Sequence, residues 1–181
     1  MNVINKFTTT NDWDGCFNEL QFHLDSPDEF MNSISYMIMA IILEEGTNKM
    51  KRDLEGAIKF YEISLKLHQL LPSIRNMALI YEIGKSSIEK DLKKAIELYQ
   101  KGLEMGDSFC LNQLALIYER GDQGVEKDLL KSIEIYKKGV KRSDRTSINR
   151  LACIYENGGD KVEKNIKEAV VKFLLYYTFF F

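Results

Sequence analysis

Proline is scarce, with two residues in 181, and glycine is modest at eleven, so long irregular linkers are excluded. The three cysteines, Cys16, Cys110 and Cys153, form neither a CxxC pair nor an even-numbered framework, which argues against a disulfide-stapled secreted domain. The two histidines, His23 and His68, lie in different segments without ligand spacing, so no metal site is expected. Charge of one sign is also lacking. Lysine plus arginine is 25 against 27 acidic residues, a formal net charge of −2. That argues against a protein whose work is neutralising phosphates. The cluster Lys141-Arg142, with Arg145 nearby, is broken by Asp144 and reads as a solvated turn, so no nucleic-acid partner is expected. No apolar run reaches the roughly twenty residues that span a bilayer. The stretch 170–181 is twelve residues long and contains Lys172 and Thr178. Residues 1–10 are polar and lack an apolar signal-peptide core, so a cytoplasmic location is expected. Neither G-x-x-x-x-G-K-[ST] nor G-x-G-x-x-G occurs, and no nucleophile–base set is visible. The chain is therefore expected to use no cofactor and to be no enzyme.

What is present is a core-forming composition, 45% hydrophobic and 29% charged, in a length that suits one domain. It is also periodic. Four segments align without gaps: MAIILEEGTNKMKRDLEGAIKFYEIS from Met39, MALIYEIGKSSIEKDLKKAIELYQKG from Met77, LALIYERGDQGVEKDLLKSIEIYKKG from Leu114 and LACIYENGGDKVEKNIKEAVVKFLLY from Leu151. Their starts step by 38, 37 and 37 residues. Columns run through all four: Ala40, Ala78, Ala115 and Ala152; Gly46, Gly84, Gly121 and Gly158; Asp53, Asp91, Asp128 and Asn165. A fixed period of this size marks a stacked-repeat architecture.

Each repeat reads as two helices. In the second, helix A runs over about 73–83 and stops at Gly84, which is free to take the left-handed conformation that closes a helix. Ile88, matched by Met50, Val125 and Val162, is placed to plug the loop onto the core. Asp91 then caps helix B, and Asn165 in the fourth repeat keeps that capacity, which favours a cap over a catalytic carboxylate. Helix B carries Leu92, Ala95, Ile96, Leu98, Tyr99 and Leu103 at helical spacing and a charged back. Helix A is apolar around most of its circumference, as expected of a helix buried on more than one side. Gly102 and Gly139, with Ser64 in the same column, are expected where a neighbouring side chain needs the space.

The A–B pair with a 37-residue period, above all LALIYERGDQGVEKDLLKSIEIYKKG, resembles the Sel-1-like repeat, a relative of the tetratricopeptide repeat. The resemblance covers about residues 35–177, and departs in having Ala for a small Gly before the Tyr column and a loop one residue longer than usual. A plain tetratricopeptide array is disfavoured by its 34-residue period. The resemblance implies an all-α fold, an α-α superhelix (solenoid) of about four two-helix repeats with an N-terminal capping helix. It also implies a surface that docks a partner protein or peptide, as in adaptors and scaffolds. A regulatory subunit that activates a partner enzyme is the alternative. The family's cysteine-rich branch is disfavoured, because Cys110 and Cys153 do not share a column.

The expected organisation is an N-terminal segment, 1–26, and four repeats within 27–181, at about 27–71, 72–107, 108–144 and 145–181. In 10–24, Trp13, Phe17, Leu20 and Leu24 fall at helical spacing, capped by Thr10 or Asn11, and form a lid for the first repeat. Pro27 suits the opening turn of the next helix. The C-terminus departs from the pattern. Lys172 stands where Phe60, Leu98 and Ile135 stand, Tyr176 replaces the small residue, and Phe179–Phe181 add an apolar tip. This reads as a diverged or truncated end that folds back on the last repeat, with a self-association surface or a membrane-touching tail as the alternatives. The repeated Glu44, Glu82, Glu119 and Glu156 lie a repeat apart, too far for an acid/base pair, and are given structural duty. The partner-facing candidates are the variable polar positions of helix A: Arg75, Asn112 and Asn149, then Asn76, Gln113 and Arg150. Amides and guanidinium groups are suited to gripping the backbone and carboxylates of an extended peptide.

Overall fold

The computed structural model describes residues 13–22, 24, 27–47, 49–84, 87–122, 124–159 and 161–180, with the helix but not the side chains given for Phe22 and 175–180. The expected caps Thr10 and Asn11, and the side chains of Tyr176 and Phe179–Phe181, lie outside the described residues. Regular structure among the described residues is helical. The chain divides into two compact units, Met1–Asp91 and Leu92–Phe181. The division falls between the two helices of the second repeat.

The first unit holds α1 (Trp13–Phe22), α2 (Glu29–Glu45), α3 (Leu54–Leu67) and α4 (Leu71–Ile83). Helices α2 and α3 form the hairpin of the first repeat, α4 packs on α3, and α1 packs on α2. Asp28 begins α2, its Oδ1 accepting from the amides of Phe30 (3.0 Å) and Met31 (3.2 Å). Pro27 thus stands outside the helix it was expected to open. Cys16, Leu20, Met39 and Ile42 form a buried cluster, with Phe17, Leu24 and Phe60 against it. The lid reading of α1 holds in this unit, although Trp13 stays 37% exposed.

The second unit holds α5 (Leu92–Glu104), α6 (Ser108–Arg120), α7 (Leu129–Lys141), α8 (Arg145–Asn157) and α9 (Ile166–Phe180). Helices α6 and α7 pair as one hairpin and α8 and α9 as the next, while α5 packs on α6 and α7 on α8. The second helix of a repeat starts at a side-chain cap: Asp53 accepts from the Gly56 amide (2.9 Å), Asp128 from Lys131 (3.0 Å) and Asn165 from Glu168 (3.0 Å). The Asp/Asn column is therefore a capping column.

The same backbone bond recurs in each of the four loops. The amides of Asp53, Asp91, Asp128 and Asn165 donate to the carbonyls of Leu43, Tyr81, Tyr118 and Tyr155, at 2.7–2.9 Å. In the last two loops, reciprocal bonds between Asp122 and Val125 (2.9 and 2.8 Å) and between Gly159 and Val162 (2.9 and 2.8 Å) tighten the tip. The glycine that ends helix A differs from expectation. Gly121 has φ 66 and ψ 161, positive φ with extended ψ, instead of the left-handed helical cap. The cause is proximity: a Cβ built on Gly121 would stand 2.7 Å from the backbone nitrogen of Lys127.

The small-residue column does make room for a neighbour. A Cβ built on Gly139 would overlap Ser147 Oγ and stand 2.6 Å from Ser147 Cβ. In the first unit the corresponding Ser64 instead bonds, with its Oγ 3.0 Å from Ser73 Oγ, while its carbonyl accepts from Ser33 Oγ at 3.0 Å. Gly139→Ala should therefore lower the unfolding free energy by about 2 kcal/mol, the usual range for overpacking. Urea unfolding checks this, and an unchanged midpoint would show that Ser147 swings away at no cost.

Ser132 is a local mismatch. Its equivalents Ala57, Ala95 and Ala169 are buried, and Ser132 is buried too, with no hydrogen-bond partner for its hydroxyl among the described residues. Ser132→Ala should stabilise by about 1 kcal/mol, the cost of an unpaired buried hydroxyl. A thermal midpoint raised by roughly 2–4 °C is expected, and a lowered one counts against the assignment.

Candidate functional site

Three of the six polar positions on the first helices of the repeats, Asn76, Asn112 and Arg150, engage other side chains as follows. Asn76 on α4 donates from Nδ2 to Tyr61 Oη (2.8 Å), and that phenol donates to Glu44 Oε2 (2.8 Å). Asn112 on α6 donates from Nδ2 to Asp144 Oδ2 (3.0 Å) and accepts at Oδ1 from Ser147 Oγ (3.0 Å). Asp144 is itself the cap of α8, accepting from the Ser147 amide at 2.7 Å. Asn112 thus buttresses the start of α8. Arg150 on α8 faces Glu119 Oε1 at 3.6 Å.

Arg75 and Gln113 are half-buried, and Asn149 is exposed. In the second unit Asn149 and Arg150 leave α8 beside a buried row of Ser147, Ile148, Leu151, Ala152 and Ile154. Arg150 keeps 39% of its side chain exposed, and so open an ion pair contributes little and is easily exchanged. The arrangement therefore offers amide donors and acceptors and one exchangeable guanidinium. It holds no nucleophile–base pair, and no group of three or more His, Cys, Asp or Glu residues among the described residues is placed to hold a metal.

The glutamate column acquires a concrete role. Tyr136 donates to Glu119 Oε2 (2.9 Å), as Tyr61 donates to Glu44. Burial, with the neighbouring carboxylate, pushes both phenols well above the ordinary tyrosine range. The sequence held a signal for this pairing. The fourth repeat replaces the tyrosine by Phe173, and its Glu156 is exposed.

Three cysteine thiols are present and no disulfide: Cys16 and Cys110 are buried and Cys153 is half-buried. No helix among the described residues is long and apolar enough to cross a membrane.

Paired helices repeated at a fixed step, closed by one recurring backbone bond, define a protein of the helical-repeat class. The Sel1 repeat model matches residues 33–67, 71–107, 108–144 and 146–171, and the chain belongs to the Sel1 repeat family. Among solved structures it is similar to a Sel1 repeat protein from Oxalobacter formigenes, with a TM-score of 0.71 at 18% identity, over 98% of this chain and 68% of that one. It is similar to c5321, a protective antigen of uropathogenic Escherichia coli with an SLR fold, with a TM-score of 0.66 at 22% identity, over 90% of this chain and 37% of that one. The immunity protein Pa5087 from Pseudomonas aeruginosa matches at a TM-score of 0.52 and 15% identity, over 88% of this chain and 57% of that one. The chain thus spans less than two thirds of two of these three. No curated protein matches it. The neighbours bear out the all-α solenoid fold with its N-terminal helix. Sel1 repeat proteins generally mediate protein–protein interactions.

Proposed function

We propose that this chain is a cytoplasmic adaptor or scaffold, without catalysis of its own, that docks a partner protein or peptide on its repeats. The repeats are taken at about 27–71, 72–107, 108–144 and 145–181. The partner-binding set is drawn from Arg75, Asn76, Asn112, Gln113, Asn149 and Arg150. The observation that carries the reading is the outward polar pair of α8, where exposed Asn149 and the loosely held Arg150 stand on a helix whose other faces are packed. Asn76 and Asn112 serve by fixing the positions of these helices. Rigid, preformed helices bind without an ordering cost, so a few anchors suffice. Exposed Ile166, Val170, Val171 and Leu174 on α9 support additional self-association through that end, which gel filtration of Val170→Glu/Leu174→Glu against the parent chain would read out.

The test is affinity capture with the intact chain and the triple variant Gln113→Ala/Asn149→Ala/Arg150→Ala, followed by mass spectrometry. Proteins retained by the first and lost by the second, at an unchanged thermal midpoint, are the expected result. An identical retained set removes the reading.

A further inference from the structure

We infer that the notch between α7 and the loop that precedes α9 is a docking site for an acidic peptide segment carrying an apolar residue. The notch has a volume of about 330 Å³. Ile133, Tyr155 and Val162 supply an apolar lining, and Lys137, Lys161 and Lys164 stand at its rim with Glu163. Leu130, 48% exposed, adds an apolar lip where the equivalent positions of the other repeats hold Glu55, Lys93 and Lys167.

Charge selects the occupant. One repeat earlier, the equivalent positions of Lys137, Lys161 and Asn165 are Gln100, Gly124 and Asp128. Each of these three differences moves the notch one charge toward positive, and Leu130 in place of Lys93 moves it one back. Glu126 and Lys127 keep their signs as Glu163 and Lys164, so the lining columns as a whole go from 0 to +2. All three lysines are exposed, and no ion pair among the described residues holds them. Among the described residues, Glu163 is the one opposing charge at this rim.

The backbone supplies an independent observation. Lys161 has φ 59, in the left-handed region, where the preceding repeat places Gly124 at φ 80. A lysine there is conformationally costlier than glycine. Strain of this kind is retained where a side chain has work to do, and here the side chain adds a cation to the rim. An aliphatic residue seated on Ile133, Tyr155 and Val162, with a carboxylate on either side of it, meets both the lining and the lysines.

This inference rests on the docking reading and names a partner chemistry for a different surface from the set Arg75, Asn76, Asn112, Gln113, Asn149 and Arg150. The probe is a fluorescein-labelled peptide, Asp-Glu-Leu-Asp-Glu, titrated against the full chain by fluorescence polarisation at low salt, with Lys-Arg-Leu-Lys-Arg as control. Saturable binding of the acidic peptide alone is expected. Lys161→Gly should weaken it about fivefold, and Lys137→Glu/Lys164→Glu by about thirtyfold. Lys161→Gly should also melt no lower than the parent, so lost binding is not lost folding. Absent binding, equal binding of the basic peptide, or unchanged affinity in the variants overturns the inference. The docking reading then still stands or falls on the capture experiment.

Discussion

Gly121→Ala should lower the unfolding free energy by about 3 kcal/mol, because two costs coincide. The first is conformational. At φ 66 and ψ 161 the residue lies in a region that side-chain-bearing residues essentially do not occupy. The second is steric. The added Cβ would stand 2.7 Å from the Lys127 nitrogen and 3.0 Å from its Cα. These are backbone atoms, and they do not rotate aside. Moving them stretches the adjoining bond from the Asp128 amide to the Tyr118 carbonyl, now 2.7 Å. Gly124 is the control, since it has φ 80 but open space where a Cβ would go. Gly124→Ala should cost only the conformational part, about 1 kcal/mol. Urea unfolding of both variants, followed by circular dichroism, separates the two. Equal losses would remove the steric argument.

Alkali should destabilise the fold through its buried phenols. Tyr61 and Tyr136 are fully buried, and burial with a nearby carboxylate raises their folded pKa above the unfolded value of about 10. The folded state therefore prefers the neutral phenol. The resulting stability is complete below pH 10 and is lost as the unfolded chain ionises above it. Each phenol contributes a slope of about 1.4 kcal/mol per pH unit. Together they account for roughly 3 kcal/mol by pH 11. Urea midpoints between pH 8 and pH 11 should fall steeply for the parent chain and less for Tyr61→Phe/Tyr136→Phe. Parallel curves would show that these hydroxyls do not govern the alkaline limit.

Features set by one residue and its near neighbours were legible in the sequence. Asp53, Asp128 and Asn165 cap the helices they precede, and a column that tolerates Asn as well as Asp announces a cap. The apolar spacing gave the helices, and the 37-residue step gave their order. Features that depend on where a distant segment passes were not legible. The ψ of Gly121 is set by the backbone of Lys127, which only the folded hairpin brings close. Asn112 reads as partner-facing because its own helix leaves it outside the apolar stripe, yet the start of α8 lies against it and engages both ends of its amide. The buried trio Ser33, Ser64 and Ser73 likewise draws on three helices. The pairing of Glu119 with Tyr136 was visible as two columns 17 positions apart, but not as a bond.

The recurring amide-to-carbonyl clasp between the Asp/Asn column and the Leu/Tyr column fixes the span of each connector at both ends. What lies within that span is held to a length far more than to an identity, as Gly124 and Lys161 at the same tip position of two repeats illustrate. Such a chain is free to diversify by exchanging residues at its hairpin tips, one module at a time, while the frame beneath stays unaltered.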